Sequence, residues 1–126
     1  MVEFRRRVAE IEERAEASYF DIAQFEDRLE DLLRFMWTHP KATPAFKAEF
    51  LRLLERKAAG VEEIVGFCMH SLRWPELREA IREKRDAIPA RSAGRLWEER
   101  RYWEKLLEAF EDEWPNAVLY RRYSDG

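Results

Sequence analysis

Hydrophobic positions recur along this chain at helical spacing, and the densest run is Val61–Trp74, VEEIVGFCMHSLRW. Val61, Ile64, Val65, Cys68 and Leu72 mark one face, and Phe67 and Met69 extend the apolar surface to its flanks. A helix that is apolar nearly all round is a buried helix. The pattern therefore predicts a central helix that the rest of the chain wraps.

Upstream of it, Phe4, Val8, Ile11, Ala15, Ser18, Ile22, Phe25, Leu29, Leu32 and Met36 alternate at spacings of four and three. That is a heptad seam, and it predicts helix over Glu3–Trp37. A straight helix of that length would be about 52 Å long. A compact domain of this size is only about 35 Å across. The helix must therefore overhang its domain or break, and Ser18-x-x-Asp21, which resembles a capping box, marks a place to break. The pattern leaves both open; a continuous helix would offer free N-terminal turns to a partner or to a second copy.

Downstream, Pro40 closes a loop over Thr38–Thr43, and Thr43 with Pro44 reads as the start of a helix running to Ala58. Phe46, Phe50, Leu53 and Leu54 form its core face, and Gly60 suits the left-handed position past its end. Gly66, inside the central helix, costs roughly 1 kcal/mol relative to alanine and points to close approach of a neighbour. Pro75 ends the central helix at Trp74. A thin apolar face of Leu77, Ala80, Ile81 and Ile88 marks a surface helix over Pro75–Ala87. After a loop at Ile88–Arg91, Ser92 is expected to cap a helix reaching Trp114, with Leu96, Trp103, Leu106, Leu107, Phe110 and Trp114 as its stripe. Asn116–Tyr123 then reads as a short terminal helix that docks. Trp74-Pro75 recurs as Trp114-Pro115, but the flanking residues do not match, and a shared dipeptide does not make a repeat.

The fold expected is all-α: a compact bundle of four to five helices around residues 61–74, with a long N-terminal heptad-patterned helix and a short docked C-terminal segment. Its expected core is Ile22, Phe25, Leu29, Leu32, Phe50, Leu54, Ile64, Val65, Cys68, Leu72, Leu77, Ile81, Leu96, Trp103, Leu107 and Phe110. At 126 residues, 1–126 is expected to be one domain. A content of 46% hydrophobic and 13% aromatic residues excludes a disordered chain.

Charge and cysteine narrow the function classes. The net charge of −3 argues against a general nucleic-acid binder, which needs a basic footprint. The single cysteine, Cys68, has no internal disulfide partner and fits a reducing compartment. No stretch has the apolar length of a signal peptide or a membrane span, so a soluble, cytoplasmic protein with no membrane role is expected.

Candidate chemistry is sparse. Cys68 and His70 lie two apart and point about 200° apart on a helix, so they share no ligand. Glu63 and His70 share a face but sit two turns apart, and the Glu-x-x-His pattern of carboxylate-bridged metal sites is absent. No metal site, cofactor or catalytic set is expected. Glu63, His70 and Trp74 mark the one place where an interhelical pocket could form, the alternative of an enzyme or small-ligand binder. The aromatics speak for a different role. Trp97 falls off the core stripe of its helix, on a face with Arg101, and Tyr102 flanks the stripe on its other side. Trp and Tyr beside Arg have the composition of interface hot spots. Covering of the Pro89–Arg91 loop is the plainer account of Trp97. The expectation is a protein-protein interaction module (an adaptor, regulator or immunity-type inhibitor) with Trp97, Arg101 and Tyr102 meeting a protein partner. Homodimerisation through the N-terminal seam is a further alternative.

Overall fold

The computed structural model describes residues 1–16, 22–57 and 59–124. Among them the chain forms seven α-helices and no strand: α1 (Val2–Glu16), α2 (Ile22–Trp37), α3 (Thr43–Arg56), α4 (Val61–Leu72), α5 (Pro75–Asp86), α6 (Arg95–Glu108) and α7 (Arg121–Ser124). Two 3-10 turns, Pro40–Ala42 and Pro115–Leu119, lead into α3 and α7. The fold is all-α, and α4 is its central helix: Val61, Ile64, Val65, Gly66, Phe67, Cys68 and Met69 are all buried.

The heptad seam belongs to two helices. Arg28 on α2 reaches Glu10 on α1 at 3.0 Å, and Arg14 bonds Gln24 at 3.1 Å, so the pair runs antiparallel. On one straight helix residues 10 and 28 would stand about 27 Å apart. The seam folds onto itself because its two halves bury the same core: Phe4, Val8 and Ile11 from α1, and Phe25, Leu29, Leu32 and Met36 from α2. The Ser18–Asp21 capping box and the side chain of Ile22 lie outside the described residues.

Helix ends correct several sequence expectations. Ala42, not Thr43, is the N-cap of α3; the Thr43 hydroxyl instead donates to the Pro40 carbonyl at 2.8 Å. The helix stops earlier than expected, at Arg56, on Lys57 in a left-handed conformation with φ of 51°. Gly60, at φ of 82°, opens α4 instead of closing α3. Ser92 does not cap α6, because its N–H closes a turn on the Pro89 carbonyl at 3.1 Å, and the helix begins at Arg95 behind Gly94. At its far end α6 stops at Glu108 instead of reaching Trp114. His70 Nδ1 donates to the Ala109 carbonyl at 3.0 Å, which takes the acceptor that a further helical turn would need.

The close approach required by Gly66 is to Trp114, not to a helix. A β-carbon at position 66 would lie 2.5 Å from Trp114 Cζ2. Trp114 also stacks on buried Tyr120, whose ring meets Phe67 edge-on at 5.1 Å. The C-terminal segment docks over α4 in this way. Of the expected core, Leu72 and Leu107 lie at the edge, half-buried, and Leu96 is outside it at 56% exposure. Leu96 fails because α6 starts at Arg95, so its first turn projects past the packed part of the bundle. Leu106, three residues on from Trp103, is buried beside it.

Candidate functional site

The first turn of α6 carries two of the exposed large apolar residues, one of which the sequence singled out. Leu96 and Trp97 are adjacent, 56% and 53% exposed. Arg100 is a helical-surface neighbour of both, four residues from one and three from the other. Its guanidinium turns inward: Nη1 donates to the carbonyls of Arg85 and Ile88, each at 2.7 Å, while Nε pairs with Glu104 at 3.2 Å. These bonds staple the end of α5 to α6. Trp97 and Leu96 therefore stand one turn from a point where α6 is tied to the end of α5.

The structure brings together only part of the expected set. Arg101 lies one turn from Trp97 on the same face and pairs with Glu104 at 3.7 Å. Tyr102 points elsewhere, about 140° round the helix. Its hydroxyl donates to the Leu54 carbonyl at 3.1 Å, and its ring lies under Lys57 at 5.4 Å. Burial, then the nearby carboxylates of Glu62 and Glu99, push its hydroxyl pKa well up. Tyr102 ties α6 to the end of α3, and Leu96 takes its place beside Trp97. Leu96 was missed because a leucine seven residues before Trp103 reads as core; only the late start of α6 reveals it.

His70 and Trp74 face different neighbours. The His70 ring packs against Trp114 and Tyr123 at centroid distances of 5.3 and 4.8 Å. Trp74 turns to α3, meeting Phe50 edge-on at 5.3 Å. Glu63 lies on the His70 side, close enough for its charge to act on Tyr120. The described clefts lie elsewhere. One of about 380 Å³ runs between α1 and α3, floored by Phe4, Val8 and Leu53 and rimmed by paired charges such as Arg5–Glu49 at 2.7 Å. Another, of about 200 Å³, sits over Leu54, Ala80 and Trp103.

Cys68 is fully enclosed, and burial raises its thiol pKa far above the ordinary range, so it is held as the neutral thiol. Among the described residues no three His, Cys, Asp or Glu side chains gather where they could hold a metal ion. No described helix is long and apolar enough to cross a membrane. No protein-family model, curated protein or solved structure matches this chain.

Proposed function

We propose that this chain is a protein-protein interaction module that acts by binding, with the Leu96–Trp97 face of α6 as its docking surface. The observation that supports this is the exposure of two adjacent large apolar side chains one turn from Arg100, which ties α6 to the end of α5. Burying the exposed half of a tryptophan side chain is worth roughly 2–3 kcal/mol at about 25 cal/mol/Å². A preorganised aromatic beside arginine is the composition from which interface hot spots are built. An adaptor, a regulator or an inhibitor that occludes its target would all work through such a face. A cytoplasmic setting goes with this reading, since the lone thiol of Cys68 is kept reduced there.

The homodimer alternative is less favoured because the seam it relies on is already buried in the chain's own core. The pocket alternative is less favoured because Trp74 and His70 face different neighbours.

The test is Trp97→Ala in a purified complex with whatever protein the full chain captures stoichiometrically from its host lysate. Affinity is expected to fall about tenfold or more, equivalent to about 1.4 kcal/mol, while the variant keeps the wild-type circular dichroism spectrum and a cooperative thermal transition. An unchanged dissociation constant removes Trp97 from the interface and this reading with it.

A further inference from the structure

We infer that the α6 docking face takes an acidic partner segment, one in which aspartate and glutamate residues flank a single large apolar side chain. The inference rests on the proposed docking role of α6 and goes on to name the partner's chemistry. Its basis is charge. The chain as a whole is net negative, at −3. Residues 91–101 run the other way, with Arg91, Arg95, Arg100 and Arg101 set against Glu98 and Glu99.

Pairing sharpens the contrast. Most arginines of this protein already hold a carboxylate: Arg5 holds Glu49, Arg28 holds Glu10, and Arg122 holds Glu30, at 2.7, 3.0 and 3.1 Å. Around Trp97 two of the three carboxylates are already engaged, and only exposed Glu98 has no ion pair among the described residues. Glu104 is shared between Arg100 and Arg101 at 3.2 and 3.7 Å. Glu99 is taken by Lys57 and by the Trp103 indole N–H. Arg91 and Arg95, both exposed, have no ion-pair partner among the described residues. They sit at the two ends of the Arg91–Arg95 approach to Leu96 and Trp97, so an apolar anchor seated on the indole brings its flanking residues past two unneutralised guanidinium groups. Carboxylates at those places gain charge-assisted hydrogen bonds, and lysines there meet like charge. A nucleic acid would also welcome the arginines and the indole. It fits less well, because a continuous polyanion has to run past Glu98 and Glu104 as well as the arginines, whereas a short segment can place a few carboxylates at Arg91 and Arg95 alone.

The probe is a random 12-residue peptide library displayed on phage and selected on the immobilised full chain at about 0.1 M salt. Enriched sequences are made as synthetic peptides and titrated by fluorescence polarisation. The expected peptides carry clustered Asp or Glu around a Trp, Phe or Leu. Their affinity should drop about tenfold or more in the Arg91→Glu/Arg95→Glu double variant and weaken steeply as salt rises above the level of strong screening. A wild-type circular dichroism spectrum and a cooperative melt certify the fold of each variant. Enrichment of neutral or basic peptides, no enrichment at all, or acidic peptides indifferent to the charge reversal each overturns the inference. So does tighter binding of a 20-nucleotide single-stranded thymidine oligomer than of any peptide. Trp97→Ala separates the two levels. Peptides that lose affinity in Trp97→Ala but ignore the charge reversal leave the docking face standing and remove only the acidic partner. Peptides that ignore Trp97→Ala remove the docking face itself.

Discussion

Gly66 shows how one missing methyl group places a whole segment. Glycine in mid-helix sacrifices roughly 1 kcal/mol of helix propensity, and here the open space is filled by the Trp114 ring. Gly66→Ala is therefore expected to destabilise the protein by about 1–3 kcal/mol in urea denaturation, because overpacking outweighs the propensity gain. In a Trp114→Ala background the same substitution should turn neutral or mildly stabilising, and a double-mutant cycle showing no such coupling would refute the account. Trp97 is the counter-case at this scale. About half of it is covered by its own chain, so Trp97→Ala should cost roughly 1–2 kcal/mol of folding stability in urea denaturation and leave the domain folded.

At the level of elements, the C-terminal segment is held by side chains reaching backbone. The buried carboxylate of Glu26 on α2 accepts the N–H groups of Arg121 and Arg122, both at 3.0 Å, at the start of α7. Tyr123 donates to the Phe67 carbonyl at 2.5 Å and accepts from Ser71 at 2.6 Å, while Arg122 bonds Glu30 and covers Trp37. Glu26→Ala should cost roughly 1–3 kcal/mol, the penalty for orphaning two part-buried donors. It should also speed tryptic cleavage after Arg121 and Arg122, read by mass spectrometry. Glu26→Gln, which keeps one acceptor oxygen, should fall between; equal cleavage in all three proteins would show that the carboxylate does not hold the segment. The α1–α2 hairpin makes the same point about elements. Two short amphipathic helices cover more of a compact core than one long helix that leaves it.

The whole molecule should lose stability on the alkaline side. Burial raises the pKa of Cys68 above its ordinary 9.0 and those of Tyr102, Tyr120 and Tyr123 above 10.0. Below pH 9 both folded and unfolded chains keep these protons, and stability does not depend on them. Above it the unfolded chain releases protons that the folded chain retains, so the free energy of unfolding falls as pH rises. Fully enclosed Cys68 contributes at most about 1.4 kcal/mol per pH unit, and buried Tyr120 adds to it at higher pH; the half-buried Tyr102 and Tyr123 contribute less, being partly screened by solvent. Urea midpoints measured from pH 7 to 10.5 should be level and then decline, and Cys68→Ala should move the onset upward. A midpoint that stays level to pH 10.5 would contradict the burial of these groups.

The sequence by itself determined the fold class, the central position of the 61–74 stretch, the start of the next helix at Pro75 and the departure of Trp97 from the core stripe. Each of these is written in local terms: apolar periodicity, proline geometry and wheel position. Tertiary structure decided the rest. The central helix itself closes two residues earlier than expected, at Leu72, on left-handed Arg73. The seam could be one helix or two until antiparallel packing set Glu10 against Arg28. Leu96 and Tyr102 exchanged roles because the start of α6 depends on a turn at Pro89–Ser92 and on Arg100 reaching back to α5. Trp114, Tyr120 and Glu26 became a docking set only once residues 48 to 95 positions apart were in contact. Short-range patterns report which face of a helix is apolar; they do not report where that helix begins or which neighbour meets it, because both are fixed by long-range packing and by competition for backbone carbonyls.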